Sequence, residues 1–95
     1  MKYQVIVINA YENRREKYKS DSRYKLFPAI WWETVVESDL EGYHFYHNCN
    51  MDRRKKIYSC TESHKKVLKK IVEEDLENVI ILEDDAVIDF DKLHL

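Results

Sequence analysis

Four consecutive large aliphatics, Val79-Ile80-Ile81-Leu82, run directly into three carboxylates, Glu83-Asp84-Asp85. An apolar run with no alternation suits a strand buried on both faces, as in a parallel sheet with helices packed on each side. The acids cannot share that burial, because an unpaired buried carboxylate costs several kcal/mol. They are expected where the strand emerges at its carboxyl end, which is where open α/β sheets bind ligands. Such a cluster suits a hard divalent cation, Mg²⁺ or Mn²⁺, held by one or two carboxylates and completed by substrate phosphates. The plainer reading is an acidic strand end that meets only water.

Ninety-five residues limit the chain to one domain, with room for a core but little for a complete α/β enzyme. Sixteen basic residues stand against eighteen acidic ones, a net charge of −2, which gives no reason to expect nucleic acid or a membrane surface as partner. With 36% charged and 44% hydrophobic residues the chain should fold and stay soluble. No apolar run approaches the ~20 residues of a membrane span. Met1-Lys2-Tyr3-Gln4 leads into a strand with no apolar signal segment. Two cysteines, Cys49 and Cys60, make no disulfide framework, so a reducing, cytoplasmic compartment is the simpler expectation. One glycine and one proline argue against a Gly-rich phosphate loop.

From the N-terminus, Tyr3 to Ile8 reads as a second buried strand, closed by Asn9 through its own side chain. Residues 11–19 are helix-compatible and carry Arg14 and Arg15 just past the strand's carboxyl end, within reach of a diphosphate arriving there. A solvated helix face is the competing reading. Residues 24–32 look extended, with Pro28 pointing to an edge or a strand start. Trp31 and Trp32 suit core and rim, or stacking on a base or sugar. Thr34 to Leu40 can form a short helix ended by Gly42, and Tyr43 to Lys56 reads as a surface loop. Ser59-Cys60-Thr61-Glu62 fits a capping box with Ser59 as N-cap. Beyond it His64, Val67, Leu68, Ile71, Val72 and Leu76 form one apolar stripe of a helix that Asn78 stops, feeding a central strand at residues 79–82 in a βαβ unit. His44, His47, Cys49, Cys60 and His64 could supply a structural zinc, although their spacing is not the usual paired one.

Four pieces carry a family resemblance: Val7-Ile8-Asn9 followed by Arg14 and Arg15, Phe27-Pro28-Ala29-Ile30, Cys60-Thr61-Glu62-Ser63-His64 opening a helix, and Ile80-Ile81-Leu82-Glu83-Asp84-Asp85-Ala86. Their order and spacing, from Val5 to Val87, resemble the N-terminal half of family 25 glycosyltransferases, the lipopolysaccharide-biosynthesis and collagen β-galactosyltransferase group. Cys-x-x-Ser-His and Leu-Glu-Asp-Asp-Ala are its two specific motifs. The chain departs from the family in having Ser59 where a glycine usually precedes the cysteine, and Asn9-Ala10 where Asn-Leu is usual.

The resemblance implies an α/β, Rossmann-like domain of GT-A type with a mostly parallel sheet, a single domain over residues 1–95. It implies a nucleoside-diphosphate sugar as donor, a UDP-sugar first, a divalent metal, usually Mn²⁺ with Mg²⁺ as substitute, and a glycan or protein hydroxyl as acceptor. Glu83-Asp84-Asp85 takes the place of the Asp-x-Asp metal motif, with Asp85 as the first metal ligand and Asp84 as the second, next to it on the ribose or sugar side. Ser63 and His64 match the family's Ser-His pair near the donor, and Asn9, Arg14, Arg15 and Glu83 complete the donor set. The acceptor half and the catalytic base would lie beyond Leu95. A catalytically inactive relative, kept as a binding or interaction module, is the second reading. A sheet cut off here would expose an edge and invite self-association.

Overall fold

The structure, a computed structural model, describes residues 3–86 and 88–92. Met1, Lys2 and Val87, at the limits of two of the stretches read above, lie outside the described residues. The elements run β1 (Gln4–Asn9), α1 (Glu12–Lys19), β2 (Tyr24–Pro28), α2 (Met51–Glu73) and β3 (Val79–Glu83). Short 3₁₀ turns at Trp32–Thr34 and Glu37–Leu40 stand where one short helix was expected, and another lies at Phe90–Lys92. The sheet is parallel throughout in the order β2-β1-β3, with Ile8 beside Phe27 on one side and Glu83 on the other. This α/β architecture, each parallel pair joined through a helix, is compatible with a Rossmann-like half-domain.

The strand buried on both faces is β1, not β3. Val5 and Val7 pack with Tyr18 of α1, joined by Tyr24, Leu26, Ile80 and Leu82. Ile6 and Ile8 pack on the opposite face against Val67 of α2, joined by Phe27, Ile71 and Ile81. An unbroken Val-Ile-Val-Ile run is what such a position requires, since neither face meets water. The equally apolar β3 lies at the sheet's edge, its aliphatics half-buried, and its outer edge has no strand partner among the described residues. Pro28 sits at the end of the other edge strand, where its missing N–H costs no ladder bond.

Helix α2 begins nine residues earlier than the Ser59 cap predicts. Its N-cap is Asn50, whose side chain accepts from the Arg53 N–H at 2.9 Å, so residues 51–56 are helix and not loop. Ser59 lies inside the helix and donates to the Lys56 carbonyl, the back-bonding that a mid-helix serine adopts. The apolar stripe also shifts: Ser59, Ser63 and Val67 are buried at four-residue steps, whereas Leu68 and Val72 are exposed. The helix ends at Glu73, and the residue that turns the chain away is Asp75 rather than Asn78. Asp75 takes a left-handed φ of 51°, with Leu76 N–H bonded to Ile71 O and Asp75 N–H to Val72 O. That is a Schellman motif, with Leu76 and Ile71 both packed against the Ile6, Ile8 and Val67 cluster. Asn78 is left-handed too (φ 55°) and accepts from Gln4 N–H as the chain enters β3. Gly42 has φ 84°, as expected of the one residue free to turn there.

Candidate functional site

The parallel register brings the carboxyl ends of β1 and β3 side by side, and one carboxylate ties them together. Asp84, 5% exposed, follows β3 directly and turns back toward the β1–α1 loop. Its Oδ2 accepts from the N–H of Ala10 (2.8 Å), the N–H of Tyr11 (3.0 Å) and Asn9 Nδ2 (3.2 Å). Its Oδ1 accepts from the Arg14 guanidinium at 3.0 Å. Burial works to raise the Asp84 pKa, but the two backbone N–H groups and Arg14 outweigh it and hold the value below the ordinary 3.8. Tyr18, buried beneath, donates to the Ala86 carbonyl and fixes the chain just past the acids.

A cleft of about 290 Å³ opens over these strand ends. One wall is α2, which presents Lys56, Cys60 and His64 at four-residue steps along a single face. The opposite wall is the β1–α1 loop with Tyr11 and Arg14. Trp31 and Trp32, from the segment after β2, complete it. Tyr11 and Trp31 meet edge to face at 4.9 Å, and Lys56 Nζ lies 4.7 Å over the Trp32 ring. The Arg14 guanidinium is stacked on Tyr11 at 4.5 Å, and its pKa is raised chiefly by the hydrogen bond to Asp84. Half of its side chain remains open to the cleft side, so donors not used on Asp84 can reach a ligand anion.

The residues singled out in the sequence do not all fall in one place. Arg14, Ser63, His64, Glu83, Asp84 and Asp85 line the cleft. Asn9 does not line it; it steadies Asp84 and caps its own loop through Tyr11 O. Arg15, one step further round α1, is exposed and does not line the cleft. Ser63, 2% exposed, accepts from the Ile30 N–H at 2.9 Å and donates to Ser59 O, tying the Phe27–Ile30 segment to α2. His64 is not a core residue: it is half-exposed, with Nε2 3.5 Å from Glu83 Oε1. Glu83 also accepts from the Cys60 thiol at 3.4 Å. The five-residue zinc set does not assemble; among the described residues Cys60 and His64 gather only with Glu83.

The three acids have separate situations. Both oxygens of Asp84 are taken by protein donors, and a cation there would have to displace Arg14. Asp85 is exposed on the cleft wall and makes no hydrogen bond among the described residues. One free carboxylate beside a phosphate-ready arginine is a donor set that suits a hard cation completed by ligand phosphates. Tyr11 and Lys56 were not legible as site residues. The signal for Lys56 was present, since residues 56, 60 and 64 share a helix face, but it appears only once the helix is started at Asn50.

Among the described residues, no helix is long and apolar enough to cross a membrane. No curated protein and no solved structure gives a significant match to the chain. The family model described as glycosyltransferase family 25 (LPS biosynthesis protein) matches residues 3–94, nearly the full length, and covers the strand ends, Asp84 and the cleft on α2. The chain is therefore a member of glycosyltransferase family 25.

Proposed function

We propose that the cleft binds a nucleoside-diphosphate sugar, a UDP-sugar first, together with a divalent metal, for transfer of the sugar to a hydroxyl of a glycan or protein. The observation that carries this reading is the pairing of Arg14 and Asp85 across the strand ends, one cationic and one anionic, both facing the cleft and both positioned by the Asp84 lock. Arg14 offers planar N–H donors to a diphosphate while its remaining edge stays fixed on Asp84. Tyr11, Trp31 and Trp32 provide aromatic surface for a base or sugar ring. Asp85 would hold Mn²⁺ or Mg²⁺, which, when bound, supplies positive charge to the departing diphosphate. His64 and Glu83 border the same space and limit how the sugar can lie. Ser63 acts through Ile30 by holding the Trp31 segment in place, and Asn9 acts through Asp84.

In the transfer the acceptor oxygen forms a bond to the anomeric carbon, the bond from that carbon to the diphosphate oxygen breaks, and the hydroxyl proton passes to a base. Calorimetric titration of UDP, with and without Mn²⁺, into wild type and Asp85→Asn tests the donor half of the reading. Metal-dependent binding in wild type, lost in the variant, is expected. Equal Mn²⁺-dependent affinity in both proteins would remove Asp85 from the metal site.

A further inference from the structure

We propose that Cys60, His64 and Glu83 form a second metal site, a three-ligand centre for a borderline-soft divalent cation such as Zn²⁺, distinct from Asp85. Cys60 and His64 lie four residues apart on α2 and so project from one face, while Glu83 reaches them from the end of β3. Cys60 Sγ is 3.4 Å from Glu83 Oε1, and His64 Nε2 is 3.5 Å from the same oxygen. All three ligand atoms lie within 4.8 Å of one another. Tetrahedral zinc, with Zn–S of about 2.3 Å and Zn–N and Zn–O of about 2.0–2.1 Å, requires S···O and N···O separations of about 3.5 and 3.3 Å. The two distances to Glu83 therefore match zinc-ligand geometry, while Cys60 and His64, within 4.8 Å of each other, would close toward the S···N separation of about 3.6 Å by rotamer changes on α2.

The chemistry of the set selects the ion. Thiolate and imidazole favour zinc over Mn²⁺ and Mg²⁺, which prefer oxygen, so the two sites would take different cations. Three protein ligands are the complement of zinc sites that keep a fourth position open. That position would face the cleft, which all three residues line. A cysteine binds zinc as the thiolate, so the Cys60 thiol must give up its proton on binding. Binding would form the sulfur–metal bond and release that proton, which makes occupancy fall as the solution is acidified.

The site does not depend on nucleotide binding, and cobalt substitution without nucleotide tests it alone. Co²⁺ added to the reduced full chain should give a thiolate-to-cobalt charge-transfer band with intense tetrahedral d–d absorption, saturating at equimolar metal and bleached by Zn²⁺. The band should vanish in Cys60→Ser, weaken in Glu83→Gln and survive in Cys49→Ser, with circular dichroism confirming that each variant is folded. No charge-transfer band in the folded wild type would overturn the proposal and leave a Cys60–Glu83 hydrogen bond, with His64 beside it, that ties α2 to β3. Loss of the band in Cys49→Ser but not in Cys60→Ser would overturn it equally. Because UDP is absent throughout, failure here leaves the donor-site reading standing, and the converse holds for the UDP titration.

Discussion

Replacing Asp84 with alanine should destabilise the protein far more than any change at its neighbour Asp85. The carboxylate of Asp84 is 5% exposed and is the sole acceptor shown for the N–H groups of Ala10 and Tyr11, which it meets at 2.8 and 3.0 Å. Alanine leaves both donors without a partner. An orphaned buried donor costs roughly 1–3 kcal/mol, and these two bonds are part-buried in a loop whose residues are themselves exposed, so about 1–1.5 kcal/mol each is reasonable. The loss is about 2–3 kcal/mol, before any loosening of β3, and domains have only about 5–15 kcal/mol in total. Urea unfolding followed by far-ultraviolet circular dichroism measures it directly. Asp85→Asn, an exposed site without a hydrogen bond among the described residues, should shift stability by less than about 0.5 kcal/mol in the same assay. An Asp84→Ala variant as stable as wild type would refute the view that this carboxylate locks the two strand ends.

Acid titration of stability should carry the same signature. The folded pKa of Asp84 is depressed, so its contribution is fully present above the ordinary value of 3.8 and is lost as pH falls through the lower folded value; Asp84→Asn should flatten that acid limb, as unfolding midpoints across pH would reveal. On α2, Val67→Ala should cost about 2 kcal/mol because its side chain is fully buried between Ile6 and Ile8, while the same change at exposed Val72 should be nearly silent in denaturant unfolding. Asp75→Gly should be neutral or stabilising by about 0.5 kcal/mol, since φ of 51° at a C′ position suits glycine better than aspartate; a clear loss in melting temperature would contradict the Schellman assignment.

The parallel α/β sheet was legible because strand burial on two faces leaves a composition that no amphipathic element shares. Val5–Ile8 and Val79–Leu82 both show it, yet the sequence does not say which is central. That depends on the crossover: α2 carries the chain past β1 to its far side, so the first strand is covered by both helices and the last lies at the edge. The start of α2 was hidden by chemistry that resembles a cap. Ser59-x-x-Glu62 reads the same inside a helix as at its start, and the charged run at 52–56 shows no apolar period to reveal the preceding turns. The acids stand at the strand end as expected, but not all of them escape burial: Asp84 is buried because protein donors satisfy both its oxygens, a division of labour that three adjacent carboxylates gave no hint of. Only the register shows that Asp84 meets the β1–α1 loop, that Glu83 turns to α2 and that Asp85 is left free.

Anomalous scattering at the manganese edge from crystals grown with Mn²⁺ and UDP tests most directly whether this cleft is a metal-dependent donor site. The expected peak lies about 2.1 Å from an Asp85 carboxylate oxygen, with the diphosphate turned toward Arg14 and Asp84 still bonded to Ala10 and Tyr11. Manganese bound on Asp84 with Arg14 displaced, or UDP bound outside the cleft, would contradict it.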